Sequence, residues 1–325
     1  MIDTTILLKA YRLMSQVKVM AETYEANRTI CKYVHSTSRG HEAIQLATAF
    51  QLQPYDFVSP YYRDESIIMG IGFTPYEQML QLLAKCNDIF TGGREYYSHP
   101  NYKGDDKPTM IHQSSATGMQ AIPTTGLAQG VQYLENHLPG RLKRGANGEL
   151  PIVVCSLGDA SITEGEVSEA FQFAVLKQLP IIYLVQDNDW GISVTADEAR
   201  AMNAFEFAAG FKGMNRVQVD GSDFEASYSV MKDVCESVRR ERKPYLVHAQ
   251  VPLLGHHTSG VRKEFYRSDE DWTKHEEHDP NPKLRKKLIE RNVSEEIIAE
   301  VERVAAELVA ADFAKAVAAP EPDPS

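Results

Sequence analysis

From Thr124 onward, apolar runs alternate with amphipathic segments, and this alternation constrains the fold more than any other feature of the chain. The runs 151–157, 180–185, 216–219 and 245–251 read as strands. A small-residue segment at 124–134 reads as a helix. So does 164–178, which carries Val167, Ala170, Phe171, Ala174 and Val175 on one face. Strand and helix units of this length imply an α/β fold: a doubly wound, mainly parallel sheet with helices on both faces.

Helical extensions flank that pattern. The first 45 or so residues place Leu7, Leu8, Tyr11, Leu13, Met14, Val17 and Met20 at helical spacing. A stretch rich in Gly, Pro, Tyr and His follows from 53 to 123, a composition that suits binding loops on a rigid scaffold. Beyond Phe265 the chain becomes charge-rich and helical. Ser294 is placed to cap a last helix that opens with Glu295 and Glu296, where the helix dipole favours negative charge. Its apolar stripe of Ile298, Val301, Val304, Ala305, Leu308 and Val309 needs a cover. The expected organisation is an α/β domain over 1–265, a helical arm over 266–318 packing on the domain or on a partner, and a flexible Pro-rich tail over 319–325.

Composition narrows the function classes. A net charge of −11 argues against nucleic-acid binding, while leaving anionic ligands open to local backbone amides and basic side chains. Cys31, Cys86, Cys155 and Cys235 show no Cys-x-x-Cys pairing, which argues against zinc or a redox dithiol. No signal peptide opens the chain and no apolar run approaches a membrane span, so the expectation is a cytoplasmic protein with no membrane partner.

Two polar clusters stand at the ends of consecutive strands. Gly158-Asp159-Ala160 follows the first, and Asn188 follows the second, twenty-nine positions after Asp159. In a parallel sheet the carboxyl ends of strands are where ligands bind. Magnesium is held by one or two protein oxygens together with phosphate and water, and Asp159, Asn188 and the Trp190 carbonyl supply hard oxygens. Gly158 permits close backbone approach, and the segment 160–165 offers N–H groups to a diphosphate. Either cluster alone is an ordinary turn. The pair, with one helix between, points to a metal ion and the diphosphate it carries.

The spacing resembles the thiamine-diphosphate fingerprint. The stretch Gly158–Ala174, with Leu179-Pro180 and Trp190-Gly-Ile-Ser193, resembles the α subunit of the E1 component of 2-oxo acid dehydrogenase complexes. The likeness runs from Gly40-His-Glu-Ala43 to Asp279-Pro-Asn-Pro282. It implies a thiamine-diphosphate-binding fold, with Asp159, Asn188 and Trp190 as Mg²⁺ ligands and with cofactor contacts from Gly158, Ala160, Ser161 and Ile192. It further implies that Tyr62 and Arg63 reach the diphosphate and that Ser115, in the segment Gln113–Met119, lies by the aminopyrimidine. Gly255-His-His-Thr258 would lie near the thiazolium, with His257 catalytic, contacting the diphosphate and ordering the substrate channel. Two positions depart from the pattern: Ala160 replaces a glycine and Asp187 an asparagine. If the backbone at Ala160 takes positive φ, alanine costs roughly 1 kcal/mol there.

The resemblance also assigns partners. The glutamate that activates the cofactor comes from a β subunit, in an α₂β₂ assembly or a fused β-like half, and a lipoylated E2 accepts the acyl group. Gly93–Lys103 looks more like the branched-chain 2-oxo acid type than the pyruvate type. The alternatives are an acetoin or pyruvate dehydrogenase α subunit, a Mg²⁺-dependent phosphohydrolase using Asp159, and a non-catalytic assembly subunit.

Overall fold

The computed structural model describes residues 2–111 and 114–323. Its strands are β1 (Phe57–Ser59), β2 (Thr109–Met110), β3 (Val153–Gly158), β4 (Ile181–Asp187), β5 (Trp190–Gly191), β6 (Val194–Thr195), β7 (Asn215–Asp220) and β8 (Tyr245–Gln250). Among the described residues six of them form one sheet in the order β2-β1-β3-β4-β8-β7, every neighbouring pair parallel, while β5 and β6 make a separate antiparallel hairpin.

Parallel strands put all their carboxyl ends on one edge. The chain leaves β1 toward β2 and leaves β3 toward β4, in opposite directions, so a crevice opens between the loops that follow β1 and β3. That crevice is where the strand-end residues gather.

The helices are α1 (Thr4–Ala26), α2 (Glu42–Ala49), α3 (Glu65–Gly70), α4 (Pro75–Leu82), α5 (Ala121–His137), α6 (Gly165–Lys177), α7 (Ala196–Ala199) and α8 (Ala204–Ala208). They continue with α9 (Phe224–Glu241), α10 (Asp269–Glu276), α11 (Pro280–Glu290) and α12 (Glu295–Ala318). Period-two alternation along the central strands divides the core between them. Val154, Ile182 and Leu184 pack with residues of α1, α2, α9 and α12, whereas Val153, Cys155, Ile181, Tyr183 and Val185 pack with residues of α5, α6 and α8. Both faces of β3 and β4 are therefore buried, as expected for a doubly wound sheet. Cys155 is a small core residue, and burial pushes its thiol up to about 12.

The structure adds detail to three expectations. The loop-rich stretch contains β1 and β2, which at three and two residues are too short to show a period. The apolar stripe of the last helix is largely covered from within: Ile298, Ala305 and Val309 are buried where α12 lies against α1 and α4, leaving Val304 and Leu308 at 40% exposure each. The start of the tail is also held, because Lys85 Nζ pairs with Glu321 at 2.7 Å and the Cys86 N–H reaches the Pro320 carbonyl at 3.2 Å.

Candidate functional site

The loops after β1, β3, β4 and β8 bring most of the sequence-selected residues into two groups. In the first, β3 ends at Gly158 and passes into a 3₁₀ turn, Asp159–Thr163, which leaves Asp159 buried at the strand end with Ser161 buried beside it. Gly158 pairs in register with Gln186, so Asn188, just past β4, lies at the neighbouring strand end. The Trp190 N–H donates to Asn188 Oδ1 at 3.1 Å, tying the β5–β6 hairpin to that side chain.

Ala160 does not carry the strain its replacement of glycine would bring at positive φ. It lies in the 3₁₀ turn and not among the left-handed residues. Its methyl is accommodated because Gly191 lies opposite: a Cβ built there would come within 3.2 Å of it. Strain sits instead at Ile192, a β-branched residue at φ 60° in the hairpin turn and 52% exposed. Such a conformation costs on the order of 1–3 kcal/mol and tends to persist at functional sites.

The second group follows β1. Arg63 is buried to 2% exposure, and its Nη2 donates to the His257 carbonyl at 3.1 Å, fixing the loop after β8. The Tyr62 ring meets the His257 ring edge-on at 6.1 Å. Burial, then the Arg63 charge, push the His257 imidazole down to about 3, so it is neutral at physiological pH. Its Nδ1 is buried without a partner, an unsatisfied polar atom of the kind that marks a ligand contact. A cavity of ≈ 520 Å³ lies beside this loop, lined by His35, Thr37, His256, Thr258 and Lys263 among others.

Ser115 joins neither group. It is exposed and its hydroxyl is within 2.9 Å of His99 Nε2. Gln113, which opens the same segment, lies outside the described residues.

Side chains that sequence reasoning left without a role organise the strand ends. Gln186 Oε1 accepts from Gln45 Nε2 at 2.8 Å and faces His41 Nδ1 at 2.9 Å, while its Nε2 donates to Asp64 Oδ1 and Ser156 Oγ. That pattern makes His41 Nδ1 the donor, so Nε2 is the acceptor, and it faces Asn188 Nδ2 at 3.2 Å. Burial, then the Arg63 charge, push His41 down to about 3, which keeps this neutral tautomer in place. The amide nitrogen of Asn188 is thus committed to His41, and its oxygen is turned to the Trp190 side. His41 belongs to the Gly40-His-Glu-Ala43 motif, which was the available signal.

Opposite charges hold the other strand end. Arg200 reaches Asp159 Oδ2 with Nη1 and Asp187 Oδ1 with Nη2, each at 2.6 Å. His248 Nε2 lies 2.8 Å from the other oxygen of Asp187. Burial and the Asp187 charge push the Asp159 carboxyl up against the pull of Arg200. At Asp187 burial also pushes up, but the hydrogen bond from His248 and the Arg200 charge outweigh it and hold the carboxyl low. Nothing in the spacing of Asp159, Asp187 and Arg200 announces this bridge.

Asp159 brings a carboxylate and Asn188 an oriented amide oxygen to adjacent strand ends, and hard oxygens of this kind are what Mg²⁺ accepts beside phosphate. Among the described residues no cluster of three or more His, Cys, Asp or Glu side chains is placed to hold a metal ion. No described helix is long and apolar enough to cross a membrane.

Residues 11–325 match the family described as "Dehydrogenase E1 component". The chain belongs to this family, which is thiamine-diphosphate-dependent. Among its relatives is the 2-oxoisovalerate dehydrogenase subunit alpha of Bacillus subtilis, 30% identical over 74% of this chain and 69% of that protein. The mitochondrial 2-oxoisovalerate dehydrogenase subunit alpha 2 of Arabidopsis thaliana is 27% identical over 82% of this chain, which spans about half (53%) of that protein. The pyruvate dehydrogenase E1 component subunit alpha of Rickettsia bellii is 28% identical over 83% of this chain and 78% of that protein. The E1 α assignment read from the motifs agrees with these matches.

Proposed function

We propose that this E1 chain is the α subunit, or α-like half, of a 2-oxo acid dehydrogenase, and that its carboxyl-edge site holds thiamine diphosphate through Mg²⁺. The observation that most supports the cofactor site is the buried pair Asp159 and Asn188 at adjacent strand ends, with Asn188 turned by His41 so that oxygen is offered. Asp159, Asn188 and the Trp190 carbonyl would hold the ion. A Cβ on Gly158 would meet only ordinary contacts, the nearest 3.7 Å away, so the protein itself leaves open space over that strand end.

When bound, thiamine diphosphate supplies a nucleophilic carbon for the 2-oxo group and an electron sink for the charge left by CO₂. This chain's residues bind and orient. Arg63 presents a planar fork of donors suited to phosphate oxygens, and it anchors the loop carrying His257. The free Nδ1 of neutral His257 is a hydrogen-bonding group rather than a charge, suited to orienting a polar group beside the reacting centre. Ala160, Ser161 and the strained Ile192 line the same strand ends, whereas Ser115 enters only if its loop moves off His99.

Activation of the cofactor is assigned to a β chain, separate or fused, and acyl transfer to a lipoylated E2. Branched-chain 2-oxo acids are the favoured substrates, on the Gly93–Lys103 segment and the 2-oxoisovalerate relatives. The pyruvate relative, at similar identity, makes pyruvate the second reading. A cytoplasmic location completes the reading. A phosphohydrolase centred on Asp159 has less support, because the family matched over residues 11–325 is a dehydrogenase component.

Dye reduction with a panel of 2-oxo acids tests this reading, first with the chain alone and then with an E1 β chain added. Turnover only with both chains, fastest on branched substrates, is expected. Robust turnover by this chain alone would refute the division of labour, and preference for pyruvate would move the substrate assignment.

A further inference from the structure

The Asp159 carboxylate is not waiting for a ligand. Its Oδ2 is held by Arg200, which also holds Asp187, and the three side chains are almost fully buried, at 5%, 9% and 6% exposure. Asp187 stands where the fingerprint carries a neutral asparagine, so the strand ends bear one negative charge more than the pattern requires. Two buried carboxylates this close cannot both be ionised at low cost unless a cation lies between them. Arg200 is that cation, and Asp189 adds a third, more exposed carboxylate 3.8 Å from its Nη2.

A divalent ion at Asp159 has two routes, and both meet Arg200. It either displaces the guanidinium from Asp159, which breaks a buried charge-assisted bond, or it takes Oδ1 while Arg200 keeps Oδ2. The second route places two cations against one carboxylate in a water-poor setting, where their repulsion is weakly screened. Either way the resident cation lowers the affinity of the site.

Arg200 is also placed to move. It directly follows the four-residue α7, and residues 201 and 202 after it are exposed bends. A capping box on each side, Thr195 with Glu198 and Asn203 with Glu206, fixes where this segment begins and ends. Withdrawal of the guanidinium therefore needs a shift of a short surface segment and not of the sheet.

We propose that Arg200 is a resident counter-cation of the metal site: it holds Asp159 and Asp187 together and sets the threshold a divalent cation must exceed to bind. This rests on the reading of the site as a divalent-cation site. The role predicts a gain of function on removal, whereas a merely structural arginine would weaken metal binding when lost.

The experiment is calorimetric titration of Mn²⁺ into EDTA-treated full chain, parent against Arg200→Gln and Arg200→Lys, with and without saturating thiamine diphosphate. Arg200→Gln is expected to bind Mn²⁺ roughly tenfold tighter or more. Arg200→Lys, which keeps the charge but cannot bridge both carboxylates, is expected to fall between. The metal-free Arg200→Gln protein should melt below the parent and recover with saturating Mn²⁺. Hydrogen exchange over residues 196–203 of the parent should rise when Mn²⁺ binds. Equal or weaker Mn²⁺ binding by a folded Arg200→Gln overturns the proposal. If that variant does not fold, equal or weaker binding by Arg200→Lys overturns it. Failure of the parent to bind Mn²⁺ even with thiamine diphosphate sinks the site reading together with the inference, whereas parent binding without a gain in the variants sinks the inference alone.

Discussion

The polar side chains at the carboxyl edge form two assemblies that meet at the end of β4 and are held by different physics. Asp159 and Asp187 are held by the opposite charge of Arg200, and His248 adds a hydrogen bond to Asp187. Asp64, Gln186, Gln45, His41 and Asn188 form a chain of directional hydrogen bonds in which each donor end is fixed by its neighbour. One cation can replace another between two carboxylates, but a donor cannot replace an acceptor in a chain of fixed polarity. The charged assembly is therefore the exchangeable part of the edge, and the hydrogen-bonded assembly is the part that sets geometry.

The contrast is broken most severely at His41. His41→Ala removes the partner of Asn188 Nδ2 and one donor to Gln186 in a fully buried setting, besides opening a cavity. A loss of about 3 kcal/mol in unfolding free energy is expected from the urea midpoint. His41→Gln, which can still offer an acceptor to Asn188, should recover much of it. A His41→Ala protein within about 0.5 kcal/mol of the parent would show that the chain does not set the geometry.

A pH series sharpens the same contrast. Burial pushes the Asp64 carboxyl up to about 7 from 3.8, against hydrogen bonds from Ser156, Gln186 and Tyr61. Between those values the folded protein keeps a proton that the unfolded chain has released, so this contribution is full below about pH 4 and is lost as pH rises toward 7. Asp64→Asn has no such slope. Its melting temperature relative to the parent should climb from pH 4 to 7 and level off above, and a constant difference would mean that Asp64 is ionised in the fold throughout.

The smallest expected effect probes the packing between the hairpin and the turn. Gly191→Ala sets a methyl 3.2 Å from the Ala160 Cβ and should cost about 1 kcal/mol in thermal melts. Adding Ala160→Gly should restore stability, and additive losses would show that the two positions do not meet.

The doubly wound sheet was legible because both faces of β3 and β4 are buried, which leaves continuous apolar runs such as 181–185. The pair Asp159 and Asn188 was legible because a strand end is visible where such a run stops. β1 and β2 were hidden by their shortness. Arg200 was hidden because its partners, 41 and 13 positions away, are set by tertiary packing that carries no period. The cover of α12, domain or partner, was left open for a related reason: α1 and α12 are separated by most of the chain, and an amphipathic stripe does not say which element will bury it.

The central claim is that the strand-end pair takes a divalent cation and the diphosphate it carries. Its most direct measurement is calorimetric titration of thiamine diphosphate into EDTA-treated protein, with and without Mg²⁺, for the parent and Asp159→Ala. Binding by the parent that weakens roughly a hundredfold or more without Mg²⁺, and that Mg²⁺ fails to restore in a folded Asp159→Ala, is the predicted result. Equal affinity in EDTA, or an unchanged affinity in Asp159→Ala, would contradict it.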